Sequence, residues 1–526
     1  MTISREVYST LASIVGRDYI SNDPVIMETY MRGGYLIDTP MEQIIERPGC
    51  VILPANTDEV QEIVRLCNRY SLPFVPASSF WSLECAAKGK NFVLLDLKRM
   101  NSLEIDEKNM YATVGPGVIY SQLQEEIMKL GLYTLCPGGG AQASVLANHL
   151  MYSFSPLCYR VGIPARRVLG VEWVLGNGEI TRLGSLATQE DAFWGEGPGP
   201  DLRGLLRGIP GWCGRVGVVT RIAIKLFPFI SPERLEPEGI TPHTTLKMPL
   251  NRMKWFNITM PSEEALYKAM VKIGNSEIAA SIMKVPILWR YRARAKTKED
   301  FWKSWIKDAE EIKKGDFHIL RVLLIGYTSE EQLKYEEKVL QDIADELGGK
   351  FRRTRPTDES WFKTADAVSM WWTTGAYMSV DFIWDSLKHS LARGETLYRL
   401  KEKEFMPPMM DEYGEKGWVQ AVEFGHSAYI EFLVQWDSAD TEAGARYIDL
   451  WVGAQRAAMD NGEYSAMIGT SSVSKLTGNH YGPNFFPLQV KIHKLLDPNN
   501  CSNPPMDLFD RLVEDKAPYL KEKYGF

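Results

Sequence analysis

Residues 137–149 read PGGGAQASVLANH. Gly138, Gly139 and Gly140 carry no Cβ, so the backbone there can come close to a ligand. Pro137 opens the run, and Ser144-Val145-Leu146-Ala147-Asn148 reads as the start of a helix. The first N–H groups of such a helix are expected to be free for a phosphate. Gly138-x-Gly140-x-x-Ala143 also fits a loose dinucleotide-binding pattern. That reading fails, because no acidic residue ends a second strand about 20 residues on. The plain alternative for a glycine triplet is a tight turn.

The neighbouring stretches are short and strand-like. Residues 51–53, 72–76 and 92–97 are apolar extended runs, and Thr57 is expected to cap a helix that carries Val60, Ile63, Val64 and Cys67 at helical spacing. Residues 111–118 read YATVGPGV, a strand and a turn, before a helical pattern through Leu123, Ile127 and Leu130. Residues 170–181 read GVEWVLGNGEIT, two extended runs joined at Asn177-Gly178, where both residues tolerate positive φ. Small residues at 211–217 open into the strand-like run 216–227. A Pro-rich stretch, 228–249, reads as a linker. Beyond it, strand runs alternate with charged helices, including one over 330–348, and residues 419–436 read as one long extended run. The expected class is α+β rather than a uniform βα repeat.

Composition narrows the function classes. The chain has 526 residues, 45% hydrophobic and 24% charged, with a net charge of −7. Nucleic acid is not expected as a partner, because neutralising phosphates needs clustered Lys and Arg. No secretory signal and no run of about 18 apolar residues is visible, so a cytoplasmic chain without a membrane span is expected. The seven cysteines are scattered without a C-x-x-C pair, which suits buried thiols in a reducing compartment.

Four stretches in order resemble the vanillyl-alcohol oxidase and para-cresol methylhydroxylase superfamily of FAD enzymes. They are VILPANTDEVQEIVRLCNRYSLPFVP (51–76), MYATVGPGV (110–118), the stretch 137–181 and GRVGVVTRIAIKLFP (214–228). The tail KIHKLLDPNN (491–500) is similar to the family's ending. The resemblance implies a two-domain FAD-linked oxidase fold. Residues 1–235, with a C-terminal return over 488–526, would form the PCMH-type FAD-binding domain, and residues 236–487 the α+β substrate cap. FAD contacts are implied at Pro76, Ala77, Ser78, Ser79, Phe80, Trp81 and Ser82. They are also implied at Pro137, Gly138, Gly139, Gly140, Ser144, Val145 and Asn148, and at Gly214, Gly217, Val218 and Val219. One departure stands out: the family's first diphosphate loop is glycine-rich, whereas Phe80 and Trp81 make this one bulky.

The implied activity is hydride transfer from a small donor to flavin N5. An aromatic alcohol or alkylphenol is the favoured donor, since Gly462-Glu463-Tyr464 is similar to a stretch of the phenol-oxidising members. Ser465 stands where those members carry an arginine that helps Tyr464 hold a phenolate. His426 and His480 resemble histidines of the related D-2-hydroxy-acid dehydrogenases, which also bind a metal. Leu433 and Asn479 stand at two of the expected ligand places, so no metal is expected. Tyr464, His426, His480 and Glu423 are the candidate catalytic residues, with Glu423 and Glu431 expected on one face of a single strand. His426 is alternatively a covalent flavin anchor. A D-lactate- or glycolate-type dehydrogenase and a flavin-free scaffold or electron-transfer subunit are the competing readings. The resemblance implies an external electron acceptor (cytochrome, quinone or electron-transfer flavoprotein) and a homodimer.

Overall fold

The computed structural model describes residues 3–31, 46–80, 89–136, 140–150, 155–187, 201–207, 214–229, 237–239, 245–246, 250–287, 291, 294–312, 317–354, 375–404, 416–437, 441–463, 483–504 and 519–524. Helices and sheets are mixed and segregated, as an α+β chain requires.

The first sheet is small. Cys50–Ile52 and Phe74–Ala77 lie parallel to Val93–Asp96 on either side of it, and Ile20–Ser21 pairs antiparallel with Cys50–Ile52. The crossover between the first two parallel strands is the helix Thr57–Arg69, which buries Val60, Ile63, Val64 and Cys67 against them. Its cap is Asn56 rather than Thr57: Asn56 Oδ1 accepts from Glu59 N at 2.9 Å. Thr57 is thereby free to donate its hydroxyl to Glu172 Oε1 in the second sheet, at 2.7 Å.

The second sheet is antiparallel, in the order Leu103–Asp106, Tyr111–Val114, Gly217–Lys225, Val168–Leu175, Ile180–Gly184. The hairpin expected at Asn177-Gly178 forms there. Gly178 has φ +87°, and Asn177 Oδ1 accepts from Glu179 N at 3.0 Å. The helix Thr57–Arg69 fastens onto this turn, since Gln61 Nε2 donates to Gly178 O (2.8 Å) and Asn68 Nδ2 to Gly176 O (2.7 Å).

The C-terminal segment returns to the first sheet. Phe74 N donates to Cys501 O (2.8 Å) and Asn503 N to Phe74 O (2.7 Å), extending that sheet's edge. Asp497, almost fully buried, accepts from the amides of Cys501 and Ser502 and so sets the bend.

The third sheet is the largest. Its described strands run in the order Lys350–Thr354, Met253–Thr259, Ile319–Ile325, Ser281–Lys284, Trp418–Val422, Ser427–Asp437, Gly375–Asp385, with every neighbouring pair antiparallel. Strand alternation gives it two apolar faces. Phe256, Ile258, Val322 and Leu324 pack under the helices Glu263–Asn275 and Glu330–Glu346. Met253, Trp255, Leu323 and Ile325 face the other way and join the core that contains Val114, Tyr133 and Trp173. The large sheet is therefore helix-covered on one side and seated on the second sheet's unit on the other.

The run 419–436 is not one strand. Glu423 and Phe424 both adopt left-handed backbone (φ +50° and +57°), which ends the strand Trp418–Val422 and turns the chain into Ser427–Asp437. Alternation thus cannot relate Glu423 to Glu431, because the turn breaks the count. Cys50, Cys67, Cys136, Cys158 and Cys501 are buried, while Cys85 and Cys213 lie outside the described residues. Among the described residues no helix is long and apolar enough to cross a membrane.

Candidate flavin site

The C-terminal ends of parallel strands are where α/β sheets present ligands. Here Ala77 and Asp96 stand side by side at those ends. Asp96 is fully buried, and its carboxylate accepts from Tyr30 Oη (2.8 Å) and pairs with Lys98 Nζ (2.7 Å). Ser78, Ser79 and Phe80 follow Ala77. Phe80 holds φ +57°, a conformation that favours glycine, and its ring packs edge-on against Tyr30 at 5.5 Å. The bulky residue in this loop thus sits aside against an aromatic neighbour. Trp81 and Ser82 lie outside the described residues.

Three further stretches converge on this loop. The Ser144 amide donates to Ser79 Oγ at 3.0 Å, and Ser144 Oγ donates to Pro116 O at 2.8 Å. Val145 N donates to Val118 O at 3.0 Å, and Asn148 Nδ2 to Ser144 O at 2.8 Å. Gly214, with φ +76°, lies so close to the Pro76 ring that a Cβ there would collide with it. Ser502 Oγ accepts from Gly217 N (2.8 Å) and donates to Gly214 O (2.5 Å). Residues 76–80, 116–118, 140–148 and 214–217 are therefore stitched together by short contacts and by the returning C-terminal segment.

The helix that starts this region spans only Val145–Leu150. Its first amides are not free, contrary to expectation: Ser144, Val145 and Ala147 all donate within the protein. The side chain of Val218 lies in the core with Phe74 and Val174, and Val219 packs on the second sheet's core. Gly140, with φ +125°, is described, whereas Pro137, Gly138 and Gly139 are not.

Unsatisfied groups mark where a ligand is expected. Gln142 Oε1, beside Gly140, is buried with no hydrogen-bond partner. Trp173 Nε1, next to Gly217, is in the same position. Buried polar atoms normally find a partner. The Gln142 acceptor, beside Gly140 and the stitched loops, suits a hydroxyl donor of a flavin nucleotide, whereas Trp173 Nε1 sits within the apolar core. Sequence reading missed the pair His149 and Tyr120. His149 is fully buried, its Nδ1 lies 3.0 Å from Tyr120 Oη and 2.9 Å from Val145 O, and Nε2 has no partner. Burial holds its pKa down to about 4.

The FAD binding domain family matches residues 48–184 of this chain. The solved structure of p-cresol methylhydroxylase with substrate bound superimposes with a TM-score of 0.73 over 96% of each chain, at 18% identity. Residues 48–184 thus form an FAD binding domain. The fold of the chain is the PCMH type, and FAD is the cofactor of its nucleotide-binding domain. A glycolate oxidase subunit of Bacillus subtilis is 34% identical over 36% of this chain and 39% of that protein. The 4-cresol dehydrogenase (hydroxylating) flavoprotein subunit of Pseudomonas putida is 27% identical over 40% of this chain and 41% of that protein. The chain spans well under half the length of these curated relatives.

The candidate catalytic residues fall unevenly in the structure. Glu423 lies in the left-handed turn, with Oε1 accepting from Arg166 Nη1 at 2.5 Å. Its carboxylate is thus committed to a cation from the flavin side. His426 is exposed at the end of the same turn. Tyr464 and His480 lie outside the described residues, as does Asn479. The last described residue before Tyr464 is Glu463. It is buried, takes a hydrogen bond from Thr396 Oγ1 (3.1 Å) and pairs with the fully buried Arg393 (2.9 Å). Sequence alone offered no signal for Arg393, since its partner lies 70 residues away.

Proposed function

We propose that the chain is an FAD-dependent oxidoreductase whose donor is a small aromatic alcohol or alkylphenol. What supports the donor class is the likeness of fold to p-cresol methylhydroxylase, at a TM-score of 0.73, together with the Gly462-Glu463-Tyr464 stretch. The likeness to the glycolate oxidase subunit is confined to 195 residues, and the family match lies in the flavin-binding part. Residues 1–235 with 488–526 would hold the flavin, and residues 236–487 would cap it.

Bound FAD supplies a two-electron acceptor. The chain's own part is to hold the donor carbon near it and to meet the negative charge that grows on the donor oxygen. Tyr464 is assigned to that oxygen as a hydrogen-bond donor, with its segment entered from the ion-paired Glu463. Glu423 is assigned to positioning rather than proton transfer, because Arg166 already holds its carboxylate. The electrons leave to an external acceptor, and a homodimer is the expected assembly.

The glycolate-type relative favours a second reading, a D-2-hydroxy acid as donor. Anaerobic addition of 4-alkylphenols, benzylic alcohols and D-2-hydroxy acids to the FAD-loaded protein, with flavin bleaching as readout, separates the two. Bleaching by the aromatic set supports the first reading, and bleaching by the hydroxy acids alone replaces it with the second.

A further inference from the structure

Four of the described non-glycine residues with positive φ gather at one place: Glu277 (+52°), Ala279 (+71°), Glu423 (+50°) and Phe424 (+57°). They form two separate turns of the substrate-side unit. One links the helix Glu263–Asn275 to the strand Ser281–Lys284, and the other links the strands Trp418–Val422 and Ser427–Asp437. Backbone in this region is costly for residues with a Cβ and persists only where the surroundings fix it.

The surroundings are arginines from the flavin side. Arg160 Nη1 donates to Ala279 O at 3.2 Å, while Ala279 N donates to the buried Glu336 Oε2 at 3.0 Å. The first strained turn is thus gripped from both sides of a single residue. The Arg160 guanidinium also lies over the Tyr327 ring at 4.8 Å and the Phe424 ring at 5.5 Å. Phe424 takes the edge of Tyr159 at 5.2 Å, and Arg166 pairs with Glu423. Gly162, with φ +75°, leaves room for the Glu423 carboxylate, which a Cβ there would strike.

We propose that Arg160, supported by Arg166, is a latch that fixes the cap on the flavin-binding part. Arg160 acts as a positioning residue for the cap's distance from the flavin. A planar guanidinium can donate along its edge and stack on its faces at once, which an ammonium cannot. The units also share an apolar core, so the latch acts on the edge of the interface at these turns rather than on the whole contact. The two strained turns form a polar part of this interface, beside the apolar contact made by Met253, Trp255, Leu323 and Ile325. The proposal rests on the FAD reading given above.

The test uses full-length FAD-loaded protein and the variants Arg160→Met and Phe424→Leu. Iodide quenching of bound-flavin fluorescence reports solvent access to the flavin, and a titration of apoprotein reports FAD affinity. The latch predicts that both variants raise the quenching constant by roughly threefold or more, because the open form becomes populated. FAD affinity should stay within about twofold, since neither residue belongs to the stitched loops. A variant that loses thermal stability with its quenching constant unchanged gives Arg160 a merely structural role and overturns the proposal. Should Arg160→Met not fold, Phe424→Leu, which keeps the charge and removes one stacking face, decides by the same readout. A wild-type chain that takes up no FAD defeats the cofactor reading itself, an outcome distinct from a loaded protein whose variants quench alike.

Discussion

The amide of Ser144 donates to Ser79 Oγ across 3.0 Å, tying the loop after the strand Phe74–Ala77 to the start of the helix Val145–Leu150. These loops come from sequence positions 65 residues apart. If both face the diphosphate, the bond pre-forms the site. Ser79→Ala removes the acceptor and leaves an amide unpaired, which costs about 1 kcal/mol and weakens FAD binding roughly fivefold. Titration of apoprotein with FAD measures this, and an unchanged affinity places the Ser79 loop away from the cofactor.

Gly140 holds φ +125°, and a Cβ there would press on the Gln142 side chain. Gly140→Val should cost about 1–3 kcal/mol of strain and displace the unpartnered Gln142 carbonyl. The expected result is a folded but colourless protein, checked by far-UV circular dichroism and the visible spectrum. A yellow variant with wild-type flavin content means that this loop does not approach FAD.

Glu423→Gln separates two roles. Arg166 is more than half exposed, so their ion pair contributes at most about 1 kcal/mol. The variant should reduce its flavin within about threefold of the wild-type rate, whereas loss of a general base typically costs about 100-fold or more. Stopped-flow reduction is the readout. A fall of that larger size returns Glu423 to proton transfer.

The burial of His149 has a pH signature. Its folded pKa of about 4 lies below the ordinary 6.5, so below pH 6.5 the unfolded chain binds a proton that the folded chain refuses. Stability from this residue is fully present above pH 6.5 and is lost as pH falls toward 4, by about 3 kcal/mol in all. Urea unfolding of the wild type and of His149→Leu across this window measures it. The variant should show a shallower slope, and identical slopes refute the buried neutral imidazole.

Local signals in the sequence reported local structure well. Asn177-Gly178 gave its hairpin with Gly178 alone at positive φ, and Asn177 contributes its side-chain oxygen as acceptor for Glu179 N. The helix Thr57–Arg69 followed from apolar spacing, and its cap was off by one residue because Asn56 and Thr57 both suit that role. The edge pairing of Phe74 with residues 501–503, and the grip of Arg160 on Ala279, join distant segments and have no periodic trace. The count from Glu423 to Glu431 failed because two adjacent left-handed residues lie between the strands, and neither is glycine. In the site, glycines and serines were legible as residue types. Which amides were already occupied, such as those of Ser144 and Val145, was fixed only by tertiary contact.

The most direct measurement is the visible spectrum of the purified protein, recorded under nitrogen before and after adding a 4-alkylphenol or benzylic alcohol. The expected result is a yellow protein with flavin absorption whose blue band bleaches on addition of the aromatic donor. A chain that remains colourless after incubation with FAD, or a flavin that bleaches only with D-2-hydroxy acids, contradicts the account.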